Sequence, residues 1–314
     1  MAVRREERKM PSANGKDTLS GAVFIPEGEP RGMVQISHGM CEYIGRYEEL
    51  MSFAAENGYV CCGHDHLGHG GTAKSDADLG FIAKKGGDAL LVDDVCRFGR
   101  EIAAGYPGVP RFLLGHSMGS FIARVAAEKL QNELSGLILT GTGGKNPAAG
   151  FGIALAGLIQ GVRGERYVSK LVNRMATGDF NRRCQGPTPY EWISRDRAIV
   201  DKYADDQHCT FPFTVSAMKD LVTLNELSNR KEWFERFPKK LPVALFSGAE
   251  DPVGDYGRGV RQVYQRLKAA GVSDVSLTLY PGARHEVLNE INRQAVYNGI
   301  LLWMGERAKR PRAE

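Results

Sequence analysis

Short apolar segments alternate with longer segments of helical periodicity along most of the chain. Residues 22–25 and 32–37 are predicted as strands that pair antiparallel at a sheet edge, because a turn rich in Pro, Gly and Glu joins them. Residues 47–57 and 87–104 have helical patterns. Strands that are apolar on both faces and linked by helical crossovers are typical of a mostly parallel sheet covered on both sides. Further strands are predicted at residues 59–62, 111–114, 136–140, 242–246 and 275–280.

The alternation stops between residues 143 and 240, where helical or irregular patterns replace the strands. Residues 190–203 and 215–225 are helix candidates, and residues 151–162 place five apolar side chains on one helical face. A helical insertion between two core strands predicts a cap over the sheet, and an independent second domain is less favoured because the strand pattern resumes directly afterwards. The apolar face consists of Phe151, Leu155, Leu158, Ile159 and Val162.

The predicted architecture is therefore an α/β fold in three parts. A chain of 314 residues is long enough for one large domain with an insertion. An N-terminal tail covers residues 1–20, the α/β core covers residues 21–145 and 241–314, and the helical cap covers residues 146–240.

Composition and charge are those of an ordinary soluble globular protein. Apolar residues make up 42% of the chain, and 41 basic against 37 acidic residues give a net charge of +4. The mean hydropathy is −0.30. The basic residues of segments 4–9 and 307–312 lack interleaved aromatic residues, so they predict solvated, frayed ends and no nucleic-acid partner. The sequence has neither a signal-peptide pattern nor an apolar run of membrane-spanning length.

The cysteines predict reduced thiols in a cytoplasmic protein, since their spacing matches no disulfide framework. Cys61 and Cys62 are neighbours in a predicted buried strand and should point to opposite faces of the sheet. The other cysteines are Cys41, Cys96, Cys184 and Cys209.

Residues 115–119, Gly-His-Ser-Met-Gly, fit the pattern G-x-S-x-G. An apolar strand precedes them and a helical segment follows. In this context a strained turn lifts the serine hydroxyl clear of the sheet, and the glycines let neighbouring backbone approach. Alone, the pentapeptide is equally compatible with an ordinary strand-to-helix turn in a chain with 38 glycines. Ser117 is a candidate nucleophile if the chain also supplies a base and an acid.

An activated serine needs a base within hydrogen-bond reach and a group that orients the base. His285 follows the last predicted strand, at the strand end where sites in open α/β sheets form. Asp251 follows the strand before it, with Asp255 as the local rival and Glu250 as a weaker one. The order Ser117, Asp251, His285 is the one expected for α/β-hydrolases.

An oxyanion hole needs two backbone N–H groups near the nucleophile. Met118, which follows the serine, should supply one, and Met40 in the loop after an early strand should supply the other. Gly39 lets the backbone of that loop approach. His38 and His116 are interpreted as residues that fix these loops by hydrogen bonds and packing, not as catalytic groups.

His64, Asp65, His66 and His69 lie close enough in sequence to suggest a zinc site. Their order differs from that of metallo-β-lactamase-type motifs, and no further ligand cluster accompanies them. We therefore favour a glycine-rich turn whose polar side chains hold neighbouring loops. A metal-dependent hydrolase that uses these four residues stays as an alternative.

Several of these segments together resemble a known family. Residues 38–40, 65–70, 115–119, 251–254 and 284–286 are similar to those of the serine aminopeptidase S33-type, or "hydrolase 4", α/β-hydrolases. Within that group the chain is similar to monoacylglycerol lipases and bacterial lysophospholipase-like proteins, over residues 21–303. The resemblance implies an α/β-hydrolase fold with a helical cap. It implies the roles of nucleophile, acid and base for Ser117, Asp251 and His285, and those of oxyanion donors for Met40 and Met118.

The chain departs from the family pattern at two positions. Leu67 stands where relatives often have arginine, and Gly71 stands where a small polar residue, lysine or glutamine is common. These departures affect the expected rim of the site and leave the catalytic residues untouched.

The sequence thus predicts a serine hydrolase that cleaves carboxylic esters through an acyl-enzyme, without metal or organic cofactor. Monoacylglycerol- or lysophospholipid-type esters are the expected substrates, with transient contact between the cap and a membrane surface. A non-catalytic binding protein on the same fold, or a lyase or acyltransferase with the same triad, are alternatives. Five residues are expected to line an acyl pocket or a membrane-facing lid, or else to pack the cap onto the core: Leu155, Leu158, Ile159, Phe211 and Phe213.

Overall fold

One sheet of eight strands forms the centre of the protein, whose computed structural model describes residues 3–308. The spatial order is β1-β2-β4-β3-β5-β6-β7-β8. Strands β3 to β8 run parallel to one another, and β1 and β2 are antiparallel to their neighbours. This sheet confirms the predicted α/β class. The strands are β1 Val3–Pro11, β2 Thr18–Pro26, β3 Gly32–Ser37, β4 Tyr59–His64, β5 Arg111–His116, β6 Gly136–Thr140, β7 Val243–Gly248 and β8 Val275–Tyr280.

Helices cover both faces of the sheet, as expected when buried strands alternate with amphipathic crossovers. The helices are α1 Glu48–Glu56, α2 Gly87–Ala104, α3 Met118–Lys129, α4 Ala149–Arg163, α5 Lys170–Thr177, α6 Arg197–Asp205, α7 Val215–Asn229, α8 Lys231–Arg236, α9 Arg258–Ala269 and α10 Arg293–Ala308. Helices α1 and α10 pack on one face, and α2, α3 and α9 on the other. Alternate residues of β5 divide between these layers, with Leu113 in one core and Leu114 in the other.

The sequence prediction for the N-terminus is wrong. Residues 1–20 were expected as a frayed tail, but the described part forms β1 and the start of β2. The many Arg, Glu and Lys residues of this segment resemble a solvated tail, although they form an edge strand. Charged side chains on an edge strand face solvent and discourage pairing with another chain. The predicted pairing of residues 22–25 with 32–37 is also wrong, because β4 lies between β2 and β3. Helix α1 carries the chain from β3 to β4 as a parallel crossover, which leaves β4 as the antiparallel partner of β2.

The C-terminal expectation needs a similar correction. Arg307 was predicted to lie in a frayed end, but its side chain is buried, stacks on Trp303 and donates a hydrogen bond of 2.7 Å to Asp274. The rest of that basic segment, residues 309–312, lies outside the described residues. The end of α10 is therefore anchored to the core.

The segment between β6 and β7, which we call the cap, contains five α-helices, α4 to α8, and a short 3-10 helix at Phe180–Arg183. One helix predicted there is shorter than expected, because α6 begins only at Arg197. Asp196 accepts a hydrogen bond from the N–H of Ala198 and caps this helix, which is a strong local start signal. Residues 190–195 instead form an irregular segment that lies against the loop before α10.

All six cysteines are free thiols, and Cys61 and Cys62 belong to different core clusters, as their alternation in a strand predicts. Among residues 3–308, no helix is long and apolar enough to cross a membrane.

Candidate active site

Ser117 lies in the sharp turn between β5 and α3 with φ of 52° and ψ of −121°, which is a strained conformation for a residue with a side chain. The turn is held by a 3.0 Å hydrogen bond from the N–H of Ser117 to the carbonyl of Thr140. A Cβ on Gly119 would collide with the carbonyl oxygen of Ser37, and one on Gly115 would collide with the carbonyl of Gly119. This geometry matches that of a nucleophile elbow.

The loop after β3 approaches the elbow with its backbone fixed on both sides. The N–H of His66 donates to Nε2 of His38, so the other ring nitrogen, Nδ1, carries the proton and donates to the carbonyl of Gly39 at 2.8 Å. That carbonyl and the N–H of Met40 belong to one trans peptide and point in opposite directions. His38 therefore orients the N–H of Met40. Met118 is the first residue of α3, so its N–H is one of the free donors at a helix start.

His285 and Asp251 form a buried pair. Nδ1 of His285 donates to Oδ1 of Asp251 at 2.9 Å, and the same oxygen accepts a hydrogen bond from the N–H of Val253. The bond to Asp251 leaves Nε2 of the imidazole as the basic nitrogen. Of the sequence rivals, Asp255 is half-exposed and pairs with Arg258 on the surface.

The pKa of His285 is raised above the ordinary histidine value. Burial acts to lower it, but the charge of Asp251 and its hydrogen bond raise it, and Glu286 and Glu42 add to this. His116 packs against His285 with ring centroids 4.7 Å apart, and burial lowers the pKa of His116 to about 3. His116 is thus a neutral packing residue that hydrogen bonds to the Thr140 hydroxyl.

The loop between β8 and α10 that contains His285, which we call the histidine loop, is held by backbone hydrogen bonds to the cap. The sequence did not indicate this contact. The N–H of His285 donates to the carbonyl of Trp192 at 3.2 Å, and that of Glu286 donates to Ile193 at 2.7 Å. The rings of Trp192 and His285 lie 5.0 Å apart. Trp192 and His285 are too far apart in the sequence for any local pattern to predict their contact.

Ser117, His285, Met40 and Met118 all line one cavity of about 880 Å³ between core and cap. Its volume lies in the range of small-molecule sites. Much of the wall is apolar and comes from α3, the loop after β3, the loop after β7 and the cap. The apolar wall includes Phe121, Phe211, Leu221, Val222 and Val253.

Of the five predicted substrate-binding residues, only Phe211 lines this cavity. Leu158 is 68% exposed on the outer surface of the cap, and Leu155 is half-buried away from the cavity. Ile159 packs against the main core, and Phe213 is fully buried there beside His69. The predicted apolar face of α4 is divided, with Leu155 and Ile159 half-buried and Phe151, Leu158 and Val162 exposed. Its small residues, Ala149 and Ala156, are the buried ones in α4, and small side chains allow close packing between helices.

The histidine-rich turn does not assemble a metal site among residues 3–308. Asp65 instead accepts hydrogen bonds from the N–H groups of Ile44 and Gly71, and Nδ1 of His69 is bonded to the carbonyl of Leu67. Burial lowers the pKa of His64 to about 3 and that of His69 to about 4. These side chains brace the loops around the elbow.

The chain is similar to known proteins over most of its length. The family model for serine aminopeptidase, S33, matches residues 28–292. Human monoglyceride lipase is 27% identical over 286 residues, which cover 90% of this chain and 85% of that protein. A monoacylglycerol lipase of Mycolicibacterium smegmatis is 26% identical, with 90% and 91% of the two chains covered. The crystal structure of a thermostable carboxyl esterase from Bacillus coagulans, in complex with glycerol, has a TM-score of 0.91 and 33% identity, covering 98% of this chain and 99% of that one.

Proposed function

This chain belongs to the serine aminopeptidase S33 family of α/β-hydrolases, and we propose that Ser117, His285 and Asp251 act as its triad in the hydrolysis of monoacylglycerols. The protein is a carboxylic ester hydrolase similar to monoglyceride lipases. The observation that carries the proposal is that His285, hydrogen-bonded to the fully buried Asp251, lines the same cavity as Ser117.

In the proposed reaction, Nε2 of His285 takes the Ser117 proton as the hydroxyl oxygen attacks the ester carbonyl. The N–H groups of Met40 and Met118 hold the resulting oxyanion, and each such donor is typically worth about 3 kcal/mol. Asp251 keeps the imidazole oriented and stabilises its protonated form. His285 then protonates the leaving alcohol, and the acyl-enzyme forms. A water molecule repeats the sequence on the acyl-enzyme and releases the fatty acid.

The substrate class rests on the cavity and on the relatives. A cavity of about 880 Å³ with an apolar wall suits an acyl chain of medium or long length. Two of the similar proteins are named monoglyceride or monoacylglycerol lipases. A monoacylglycerol combines such a chain with a small polar alcohol, and lysophospholipids combine it with a charged head group.

The outer face of the cap supports contact with a lipid surface. Phe151, Leu158 and Val162 of α4 are 64%, 68% and 76% exposed. Leu171 and Met175 of α5 are also largely exposed. Single exposed apolar side chains are common, but Phe151, Leu158 and Val162 share one helical face, and contiguous apolar patches mark surfaces that meet a partner or a membrane. We infer that this cap face rests transiently on the membrane or micelle that carries the substrate.

An ester panel tests the substrate proposal. Glycerol monoesters of acetate, octanoate and oleate, together with an oleoyl lysophospholipid, are compared by kcat/KM, with Ser117→Ala as the control. We expect the octanoyl and oleoyl glycerol esters to be hydrolysed fastest, and Ser117→Ala to abolish their turnover. A preference for the acetyl ester alone contradicts the proposed substrate class, and a preference for the lysophospholipid replaces the monoacylglycerol by that lipid.

A further inference from the structure

Arg46 lies between two buried carboxylates that belong to different catalytic loops. Its Nη1 donates to Oε2 of Glu42 at 2.9 Å and to Oε1 of Glu286 at 2.7 Å. Nη2 donates to Oε2 of Glu286, also at 2.7 Å, so the contact with Glu286 is bidentate. All three side chains are less than a tenth exposed. We call this set, Glu42, Arg46 and Glu286, the buried bridge.

The Glu42 end of the bridge holds the loop after β3 that contains the proposed oxyanion donor Met40, which we call the oxyanion loop. Oε1 of Glu42 accepts the N–H of Gly39, the residue that precedes the proposed oxyanion donor Met40. The same oxygen accepts the hydroxyl of Tyr47 at 2.7 Å. Together with the bond from His38 to the Gly39 carbonyl, this fixes both peptide planes that flank Gly39.

The Glu286 end of the bridge holds the histidine loop. Glu286 directly follows His285, and its Oε2 also accepts the side-chain amide of Asn289 at 2.9 Å. The guanidinium thus ties a residue adjacent to the base to the loop that carries the oxyanion donor. Arg46 and Glu286 are separated by 240 positions in the sequence.

Arg46 also reaches the cap. Its guanidinium lies 4.8 Å from the ring centre of Tyr203, whose hydroxyl donates to the carbonyl of Cys41 in the oxyanion loop at 3.0 Å. Cys41 has a positive φ of 54°, which is uncommon for a residue with a side chain. The cap contact therefore supports a strained part of the same loop.

We propose that Glu42, Arg46 and Glu286 are positioning residues that hold the oxyanion loop in register with His285. The proposal rests on the proposed function of Ser117 and Met40. Burying three charged groups is costly, and replacing such a set by apolar residues often stabilises a protein. Stability of the fold therefore does not account for this buried bridge. A role in holding the geometry of the transition state does.

Single replacements of either carboxylate break the bridge while leaving Arg46 one charged partner. Glu42→Gln leaves Arg46 paired with Glu286, and Glu286→Gln leaves it paired with Glu42. A glutamine side chain offers one acceptor oxygen instead of two, so in the Glu42→Gln variant it cannot accept from Gly39 and Arg46 as the two carboxylate oxygens do. We expect kcat to fall at least about tenfold in each variant while KM changes less than about threefold, because the loss concerns the oxyanion and not the bound ester.

A second measurement separates positioning from folding. Affinity for a trifluoromethyl ketone, which forms a tetrahedral oxyanion on the serine, should fall by about the same factor as kcat/KM. Tyr47→Phe removes one donor to Glu42 and no charge, so it should fold and lower kcat several-fold. Asp94→Asn is the matched control, since this buried carboxylate binds Ser12 and Ala13 near β1, and its kcat should stay at the wild-type value.

Lower melting temperatures with kcat within about twofold of wild type in Glu42→Gln, Glu286→Gln and Tyr47→Phe would overturn the proposal. A raised KM at unchanged kcat would overturn it as well. Labelling of wild-type Ser117 by a fluorophosphonate, measured in parallel, distinguishes failure of this proposal from failure of the proposed function. If the wild type is labelled and active and the variants are unaffected, only the proposed role of the buried bridge is contradicted. If the wild type is neither labelled nor active, the proposed function is contradicted as well.

Discussion

At the scale of single residues, His285 is the proposed base, and its surroundings should set the pH dependence of the proposed reaction. Only the neutral imidazole can accept the Ser117 proton, so kcat/KM should rise with pH through the pKa of His285. Burial opposes protonation, but the Asp251 charge and hydrogen bond raise the pKa above the ordinary value of 6.5. The acid limb of the profile should therefore have its midpoint above pH 6.5.

Asp251→Asn tests this assignment. The change removes the charge that favours the protonated imidazole, so the acid limb should move to lower pH. It also removes the acceptor that fixes the tautomer, so kcat should fall by roughly 10⁴-fold. Both are read from pH profiles of kcat/KM and kcat. Asp255→Asn should keep most activity and the wild-type limb, since Asp255 pairs with surface Arg258. Loss of activity only in the Asp255 variant would reverse the assignment.

Single residues also show what sequence can and cannot predict. Ser117, Asp251 and His285 each follow a strand that the hydrophobic pattern predicts, and the end of a parallel strand is where such groups collect. The bridge of Glu42, Arg46 and Glu286 gives no such signal. Its members meet only after the fold is formed, and isolated Glu and Arg residues are ordinary surface residues in a sequence.

At the scale of elements, α4 is the instructive case. Its existence was predictable from helical periodicity, but the face that it buries was not. The sequence left open whether its apolar face lines an acyl pocket, faces a membrane or packs onto the core, and three residues of that face, Phe151, Leu158 and Val162, are exposed. Helical periodicity shows that a helix has an apolar face, but it does not show whether protein or lipid covers that face. Apolar residues of α4 that could have lined an acyl pocket are therefore exposed on the cap.

Phe151→Ser with Val162→Ser tests the lipid-facing role of α4. Both side chains lie outside the cavity wall, so hydrolysis of a soluble p-nitrophenyl butyrate should stay close to the wild-type rate. Binding to vesicles that carry monoolein should weaken at least about tenfold, because about 1.5 to 3 kcal/mol is associated with fully burying each large apolar side chain and the variant lacks two of them. Co-sedimentation and turnover on the same vesicles measure this.

Ala154→Ser is the matched control on the same helix. Ala154 is exposed but small, so this change adds a hydroxyl without removing a large apolar group. Vesicle binding should stay close to wild type. Equal vesicle binding by wild type and the double variant would contradict a lipid-facing cap.

At the scale of the whole molecule, the parallel part of the sheet was predictable and its edge was not. Strands β3 to β7 are buried and mostly apolar, so each stands out from its helices. Strand β1 is charged and pairs on one side only, so its sequence resembles that of a solvated tail. Strand order depends on the crossover through α1, which local patterns do not specify.

The same molecule brings together loops from four strand ends around one cavity: the oxyanion loop after β3, the elbow after β5, Asp251 after β7 and His285 after β8. The cap closes over them and binds the histidine loop through Trp192 and Ile193. An activated serine in this cavity is the central claim.

The most direct test is covalent labelling with a fluorophosphonate, followed by peptide mapping and by ester turnover of the labelled protein. We predict one label per chain, located on Ser117, with turnover lost in proportion to labelling. Ser117→Ala should take up no label and hydrolyse no ester. Turnover that persists in fully labelled protein or in Ser117→Ala, or a label on another residue that tracks the loss of activity, would contradict the account.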